Sequence, residues 1–234
     1  MRRFPAGSIE KLLETAVSQL DLELSARQIS QLATHFSLLL RWNQKINLTS
    51  LRRPEEIATR HFEESLFLTK LVKLESGLLS GASAQEGLLV DVGSGAGFPG
   101  LPIKIACPSL AVVLLEPNKK KSAFLKEVVR HCGLEGVEVC AERLEEVTSE
   151  PRPSGSGGQG RLVGKASLVT LRAVKPQREL LSNLARLLAP GGQVALFLGT
   201  NDATAVATTP GFQWSAPVAI PHSERRVILV GRSA

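Results

Sequence analysis

A glycine-rich stretch constrains the fold of this chain more than any other feature of its sequence. Residues 88–102 read LLVDVGSGAGFPGLP, so an apolar run leads into Asp91, alternating glycines follow, and a second apolar segment comes next. This order is typical of the strand-turn-helix opening of an α/β nucleotide site, where the backbone passes close to a ligand through torsions that side chains forbid. A plain tight turn needs only one glycine. This stretch has four, so we expect a ligand site: Gly93, Gly95, Gly97 and Gly100.

Two classes of ligand fit such a turn. Gly95, Gly97 and Gly100 satisfy the dinucleotide spacing G-x-G-x-x-G, which is a weak signal alone. Against a dinucleotide, Asp91 would place a carboxylate near the phosphates, whereas a cationic ligand would be stabilised by it. The pattern D-x-G-x-G-x-G after a strand resembles the first motif of class I S-adenosylmethionine methyltransferases, whose cofactor is cationic and has no phosphate. We favour that interpretation, with a nicotinamide-dependent dehydrogenase as the alternative.

Composition limits the remaining possibilities. A chain of 234 residues suits one α/β domain with an accessory piece. Its apolar runs are too short for a bilayer span and no signal-peptide core follows Met1, so we expect a cytoplasmic protein. The cysteines are odd in number and the four histidines are scattered, which predicts reduced thiols and no metal site. A net charge of +6 favours a polyanionic partner.

The first third of the chain is predicted to be helical. Ser25 and Gln28 form a capping box, and apolar residues then recur at helical spacing. Pro54 opens a further helix, because proline suits the first helical turn. We therefore predict a helical segment over residues 1–76 that packs on a methyltransferase domain of residues 77–234.

The second part of the chain alternates strands with helices. Strands are predicted at 88–90, 111–115, 137–140, 167–171 and 193–198, with helices over 118–131 and 176–188 and a loop or helical turn over 141–147. Such alternation predicts a doubly wound, Rossmann-like α/β sheet that is mostly parallel. Segments 212–219 and 225–230 have no helix between them, so the last strand should be antiparallel. The glycine- and serine-rich stretch within about 149–165 predicts a flexible loop.

Ligands of such sheets bind at the carboxyl ends of the strands, which places several polar residues around one crevice. Cofactor contacts are predicted at Asp91, at the turn glycines Gly93, Gly95 and Gly97, and at Glu116. Glu116 ends the second strand, where a carboxylate can accept hydrogen bonds from ribose hydroxyls under either cofactor interpretation. Arg172 ends the fourth strand and is either a surface charge or a group that holds cofactor or acceptor.

Basic residues near the helical segment suggest contacts with nucleic acid. Only eight Phe, two Trp and no Tyr are present, so an aromatic stacking platform is not expected. The lysine run can equally be a solvated helix face. Phosphate contacts are predicted at Arg41, Lys45, Arg52, Arg53, Arg60, Lys119, Lys120 and Lys121.

Together these segments resemble the ribosomal RNA small subunit methyltransferase G family, also called glucose-inhibited division protein B. The resemblance covers roughly residues 25–198 and includes RWNQKINLTS, TRHFEESL, DVGSGAGFPGLPIKI, KKKSAFL, AERLEE and TLRAV. It implies methylation of N7 of a guanosine (position 527) in the 530 loop of 16S ribosomal RNA, with S-adenosylmethionine as donor. It also implies cofactor contacts at Gly93, Phe98, Leu144, Glu145 and Arg172.

Three departures from the family pattern accompany the resemblance. Glu116 stands where many members have Asp, which lengthens the reach to ribose and keeps the charge. The stretch 151–164 is longer and richer in glycine than usual, and no site residue is predicted after Gly199.

The implied chemistry needs little from the protein's side chains. Guanine N7 has a lone pair and no proton to lose, so we predict no general base, no Ser, Cys or His nucleophile and no metal. Arg172 would position the reacting groups, with Arg60 and His61 on the RNA side. The expected partner of this monomer is 16S ribosomal RNA or a small-subunit particle. Alternatives are a methyltransferase of another RNA, a small molecule or a protein, and an RNA-binding protein without chemistry.

Overall fold

The computed structural model describes residues 7–72, 87–149, 160–173 and 176–233. Within these ranges eight strands form one sheet, in the order β3-β2-β1-β4-β5-β8-β6, with β7 paired to β8. The strands are β1 (Leu88–Val92), β2 (Ala111–Leu115), β3 (Val137–Cys140), β4 (Ala166–Arg172), β5 (Leu188–Gly199), β6 (Phe212–Trp214), β7 (Val218–Ala219) and β8 (Arg226–Ser233). The strands β1 to β5 pair in parallel, and β8 runs antiparallel to β5. The predicted doubly wound, mostly parallel sheet with an antiparallel finish is confirmed.

The crossover helices of the sheet agree with the predicted alternation. They are α5 (Gly100–Ala106), α6 (Lys119–Cys132), α7 (Leu144–Thr148), α8 (Arg178–Leu187) and α9 (Thr200–Ala207). Helix α9 was not predicted, because its sequence TNDATAVA has only two buried residues, Ala203 and Val206, and thus a weak apolar pattern. The predicted strand 212–219 is two short strands, with Pro217 between them. Proline has no N–H for a sheet ladder, which explains the break.

Strand β5 begins earlier than predicted. The sequence Pro190-Gly191-Gly192 suggests a turn, yet β5 runs from Leu188 through it to Gly199. The pairing with β4 shifts register between Ala166 and Leu168, and this irregularity accommodates the turn-forming residues inside the strand.

The helical segment precedes the sheet and shares a core with it. It contains α1 (Ser8–Ser18), α2 (Ala26–Trp42), α3 (Pro54–Ile57), a π-helical turn (Ala58–Glu63) and α4 (Glu64–Leu71). The predicted capping box forms at the start of α2. Phe36 of α2 is buried in one cluster with Leu101 of α5, Phe124 of α6 and Leu114 of β2. The helical segment therefore covers one face of the sheet together with α5 and α6.

The opposite face of the sheet is covered by the later helices. Val147 of α7, Leu184 of α8 and Val206 of α9 pack in a second buried cluster with Val90 and Val169 of the sheet. Burial of such side chains stabilises a fold by about 1.5–3 kcal/mol each. Both faces are thus closed, and the strand ends are the part of the sheet where a crevice can form.

Two predicted features fall partly outside the described residues. The boundary at 76/77 lies in the gap 73–86, so the division into two domains stays a prediction. Most of the predicted flexible loop lies in 150–159, but its last residues are packed: Leu162 is buried, and Arg161 pairs with Glu138 at 2.7 Å. None of the described helices is long and apolar enough to cross a membrane.

Candidate active site

The parallel strands end in one row, and this row organises the predicted site. Val92 pairs with Leu115 and with Leu171, and Leu115 pairs with Cys140. One residue beyond this row on each of the four strands lie Gly93, Glu116, Ala141 and Arg172. The structure therefore brings Glu116 and Arg172 to the same edge of the sheet as the glycine turn, whereas Asp91 lies one row earlier in β1.

The glycines of the turn after β1 have two different roles. Gly93 and Gly95 have φ of +68° and +57°, and a Cβ built on Gly93 meets no atom within 4 Å. A Cβ on Gly95 meets only a backbone oxygen at 3.8 Å. In contrast, a Cβ on Gly97 would lie 2.4 Å from a leucine methyl carbon, and one on Gly100 would lie 2.6 Å from another. Gly93 and Gly95 thus border open space for a ligand, while Gly97 and Gly100 permit close packing behind the turn.

Asp91 lies beneath the turn, and only 1% of the residue is exposed. Its Oδ1 accepts a hydrogen bond from Thr170 Oγ1 at 2.7 Å, and its Oδ2 accepts one from the Gly100 N–H at 3.3 Å. Burial raises the pKa of Asp91 to about 6, although these hydrogen bonds favour the charged form. The Asp91 carboxylate therefore stabilises the turn through hydrogen bonds on its buried side. Its predicted contact with a cofactor stays a prediction.

Glu116 connects the end of β2 to the glycine turn. Its Oε2 accepts a hydrogen bond from the Gly95 N–H at 2.8 Å, and its Oε1 accepts one from the Asn118 N–H at 2.9 Å. A carboxylate has about four lone-pair sites, so each oxygen can still accept from a hydroxyl group. Glu116 follows β2 as predicted, and its contact with ribose stays a prediction.

Phe98 lies between two histidines of the helical segment. Its ring stacks on His35, with centroids 4.8 Å apart, and on His61, with centroids 4.5 Å apart. His35 Nε2 is also 2.8 Å from the carbonyl oxygen of Ala96 in the turn. These contacts, which the sequence pattern did not indicate, join the helical segment directly to the glycine turn.

Both of these histidines are neutral at pH 7. Burial lowers the pKa of His35 to about 4. Burial and the nearby charge of Arg172 lower the pKa of His61 to about 3. His61 Nε2 lies 2.8 Å from Thr49 Oγ1. The predicted contact of His61 with RNA stays a prediction, but the residue could make it only as a neutral group.

Arg172 is held in a network of buried charges. Its side chain is 16% exposed, and its Nη2 donates to Glu64 Oε2 at 2.9 Å and to the carbonyl oxygen of Arg60. The other oxygen of Glu64 pairs with Arg226. The guanidinium of Arg172 also lies over the ring of Phe197, 5.5 Å from its centroid. These contacts hold the Arg172 guanidinium in one orientation, and its predicted role in holding cofactor or acceptor stays a prediction.

A cavity of about 290 Å³ opens beside Arg172. Its walls come from the loop after α2, the π-helical turn, and the ends of β4, β5 and β8. Among its lining residues are Thr49, Arg60, His61, Glu64, Arg172 and Arg226. Arg226 and Ile220 lie in the part of the chain after Gly199, from which no site residue was predicted.

The residues predicted from the AERLEE motif lie on α7, directly after β3. Leu144 is buried in the cluster on that face of the sheet, and Glu145 is exposed. Their contacts with a cofactor stay predictions.

The cations predicted to contact RNA lie on α6 and in the helical segment. Lys119 and Lys120 are exposed in the first turn of α6, and Lys121 is partly buried. Arg41 of α2 pairs with Glu127 of α6, so it is partly neutralised. Lys45, Arg52, Arg53 and Arg60 of the helical segment are also exposed. Contact of these side chains with RNA stays a prediction.

Comparison with known proteins gives a family match. The family model GidB, described as rRNA small subunit methyltransferase G, matches residues 28–211. A "Ribosomal RNA small subunit methyltransferase G" of Caldanaerobacter subterraneus is 35% identical over 192 residues, which cover 82% of this chain and 72% of the relative. A protein of the same name from Chromobacterium violaceum is 33% identical over 221 residues, covering 92% and 94%.

Solved structures share the fold. A SAM-dependent methyltransferase from Aquifex aeolicus superposes with a TM-score of 0.56 at 15% identity, covering 80% of this chain and 97% of that one. Magnesium protoporphyrin IX methyltransferase from Synechocystis, solved with bound SAM, also has a TM-score of 0.56, at 13% identity over 86% and 97%. The predicted Rossmann-like methyltransferase fold is confirmed.

Proposed function

This chain belongs to the ribosomal RNA small subunit methyltransferase G family, and on that premise we propose that it transfers a methyl group from S-adenosylmethionine to N7 of a guanosine in the 530 loop of 16S ribosomal RNA. The observation that carries the proposal is the family match over residues 28–211, which spans every residue predicted for the cofactor and RNA sites. The family itself, which the sequence motifs predicted, is confirmed.

The residues at the strand ends fit this donor. The space beside Gly93 and Gly95 is open, and Glu116 lies next to it with lone pairs available for ribose hydroxyls. When bound, the donor supplies an electrophilic methyl group on a positively charged sulfonium. Asp91 lies on the buried side of the glycine turn, and its ionised carboxylate would stabilise a cation bound on the open side.

The protein's task in this reaction is to hold the acceptor in place. Guanine N7 carries a lone pair and no proton near neutral pH, so the transfer needs no general base. Fixing two reacting groups in line is an effect worth up to roughly 7–11 kcal/mol. Arg172 suits this task because Glu64, the Arg60 carbonyl group and Phe197 hold its guanidinium in one orientation.

Exposed cations would bring RNA to this edge of the sheet. Lys119 and Lys120 begin α6, immediately after the turn that holds Glu116, and Lys45 and Arg60 project from the helical segment. Phosphate contacts dominate the affinity of most proteins for nucleic acids. We further expect the protein to act as a monomer in the cytoplasm.

The proposal is tested on 16S ribosomal RNA and on small subunits from cells that lack this gene. Each substrate is incubated with the protein and a methyl-labelled donor, digested to fragments, and analysed by mass spectrometry. We expect one added methyl group, recovered as 7-methylguanosine in the 530-loop fragment. Label on a different nucleoside, or on a small molecule but not on either RNA, would contradict the proposal.

A further inference from the structure

We propose that the cavity beside Arg172 is a binding site for an oxyanion, namely a phosphate group of the acceptor nucleotide. This inference rests on the proposed function, because it assumes that an RNA nucleotide enters at the ends of β4 and β5. It adds Arg226 and Glu64 to the site, as parts of a cavity that takes a negatively charged group, and it gives His61 a specific ligand there.

The charge in the cavity is unbalanced. Three arginines line it, namely Arg60, Arg172 and Arg226, and among the described residues that line it Glu64 is the one acid. Glu64 is buried and shared between Arg172 and Arg226. Arg60 is exposed, so its charge is solvated. In contrast, Arg172 and Arg226 are largely withdrawn from water and share the single carboxylate of Glu64. Removing cations from water is costly unless a counter-charge is present, so the one positive charge in excess favours a bound anion.

Two buried nitrogen atoms of the cavity residues also have no partner. Arg172 Nη1 and His61 Nδ1 form no hydrogen bond to any residue in the described ranges. Guanidinium groups only donate, so Arg172 Nη1 requires an acceptor. Buried polar groups are nearly always hydrogen-bonded, which makes an orphaned pair beside one cavity a sign of a missing acceptor.

The contact with Thr49 is compatible with two tautomers of His61. Thr49 Oγ1 accepts from the Leu51 N–H at 3.1 Å and lies 2.8 Å from His61 Nε2. The hydroxyl has a second lone pair and one proton, so it can accept from Nε2–H or donate to Nε2. When it donates, Nδ1 carries the proton of the neutral imidazole, and an oxyanion that accepts from both Nδ1–H and Arg172 Nη1 would select this tautomer.

Position in the sheet favours an RNA phosphate over the carboxylate of the methyl donor. The donor's ribose is expected at Glu116 after β2, whereas Arg172 lies on β4, two strands away, and Arg226 lies on β8, four strands away. At about 4.8 Å per strand these separations are roughly 10 Å and 19 Å, so the Arg226 side of the cavity is the part farther from the donor. The opposite wall comes from Thr49 and the following loop of the helical segment, on the side predicted to meet RNA. Both sources carry an oxyanion, so the experiment must separate them.

The test compares two pairs of probes that differ in their anionic group. Guanosine 5′-monophosphate and guanosine differ by a phosphate, whereas S-adenosylhomocysteine and 5′-methylthioadenosine differ by the amino-acid portion. Dissociation constants for all four are measured by calorimetry at constant ionic strength. The variants are Arg226→Ala and Arg60→Ala, and the control is Arg225→Ala, an exposed neighbour that removes the same charge outside the cavity.

We expect the wild-type protein to bind the nucleotide at least about tenfold more tightly than the nucleoside, as for a hydrogen bond to a charged group. Both cavity variants should bring this ratio towards one, while Arg225→Ala and the donor pair stay unchanged. Because Arg60 is exposed and its carbonyl group is kept, that variant should fold even if Arg226→Ala does not.

The other outcomes are equally informative. Loss of preference only in the donor pair would keep an oxyanion site but overturn its assignment to the RNA phosphate. No preference for either anionic probe in the wild-type protein, or ratios that the cavity variants leave unchanged, would overturn the site itself. These binding ratios do not depend on methyl transfer, so failure of the proposed function is detected separately, by the absence of label in ribosomal RNA.

Discussion

Replacing Asp91 by asparagine would remove a buried negative charge and keep the shape of the side chain. Thr170 Oγ1 and the Gly100 N–H both donate to Asp91, one to each carboxylate oxygen. Asparagine has a single acceptor oxygen, so it can keep the 2.7 Å bond from Thr170 and loses the 3.3 Å bond from Gly100. That loss is independent of pH, so the pH dependence of the stability difference isolates the charge that burial disfavours.

The size of the effect follows from the raised pKa. Asp91 titrates at about 6 in the folded protein and near its ordinary value of 3.8 when unfolded. The folded state thus binds this proton more tightly, so the carboxyl's contribution to stability is fully present below about pH 4 and is lost as the pH rises through about 6. The difference of about two units corresponds to about 3 kcal/mol, of which about 2 kcal/mol falls between about pH 4.5 and pH 7.5.

The measurement is urea unfolding of both proteins across this pH range. We expect the free energy of unfolding of Asp91→Asn to rise by about 2 kcal/mol relative to wild type between about pH 4.5 and pH 7.5. A ¹³C NMR titration of the wild-type carboxyl provides a control, since its midpoint should lie near pH 6. A stability difference that is the same at every pH would refute the argument that Asp91 is a destabilised buried anion. If its charge also favours the donor, affinity for S-adenosylmethionine should be weaker in the variant at pH 7.5.

Four further outcomes test other parts of the structure. Gly100→Ala places a Cβ 2.6 Å from Leu114 Cδ2 and should lower the free energy of unfolding by about 1–3 kcal/mol, so an unchanged urea midpoint would contradict the packing argument. Arg172→Ala should reduce turnover by about 10²-fold at saturating donor and RNA, whereas full turnover would show that it positions nothing. If about five phosphates are neutralised, RNA affinity should fall with salt at a log-log slope of about −3.5 to −4.5. The double variant Lys119→Ala with Lys120→Ala should make that slope shallower by about 1.4–1.8, and a slope equal to that of wild type would exclude both lysines from the interface.

Local sequence patterns were sufficient to predict most of the strands of the sheet and the position of part of the site. The strand 111–115 consists of apolar residues, of which the last four are buried, and it ends directly before Glu116; it forms with the predicted limits. Ser25 and Gln28 form the predicted capping box because both partners lie within one helical turn. Glu116 was placed correctly because the end of a parallel strand is determined by the run of apolar residues that precedes it.

The network around Arg172 could not be predicted in this way. Glu64 lies 108 residues from Arg172 and 162 from Arg226 in sequence, and an acid near the start of a helix ordinarily suggests a solvated position. Its burial depends on how the helical segment packs on the sheet, which no local pattern encodes. His35 and His61 also appear unrelated in sequence, yet they stack on opposite sides of Phe98.

Asp91 illustrates a subtler difference. The sequence places this acid at the end of the first strand, but the strand continues by one residue to Val92. Alternation along β1 then directs Asp91 to the same face as Leu89, under α5, where it meets the Gly100 N–H. If β1 had ended at Asp91, the carboxylate would face the crevice. Because β1 ends at Val92, the Asp91 carboxylate supports the glycine turn instead.

The central claim is that the methyl group goes to N7 of one guanosine in the 530 loop. It is tested most directly with two 16S ribosomal RNAs assembled from ligated segments, one with guanosine and one with 7-deazaguanosine at the target site, which replaces N7 by a carbon. After reaction with the wild-type protein, mass spectrometry of the fragment should show one added methyl group on the guanosine RNA and none on the 7-deaza RNA. Equal methylation of the two RNAs would contradict the account.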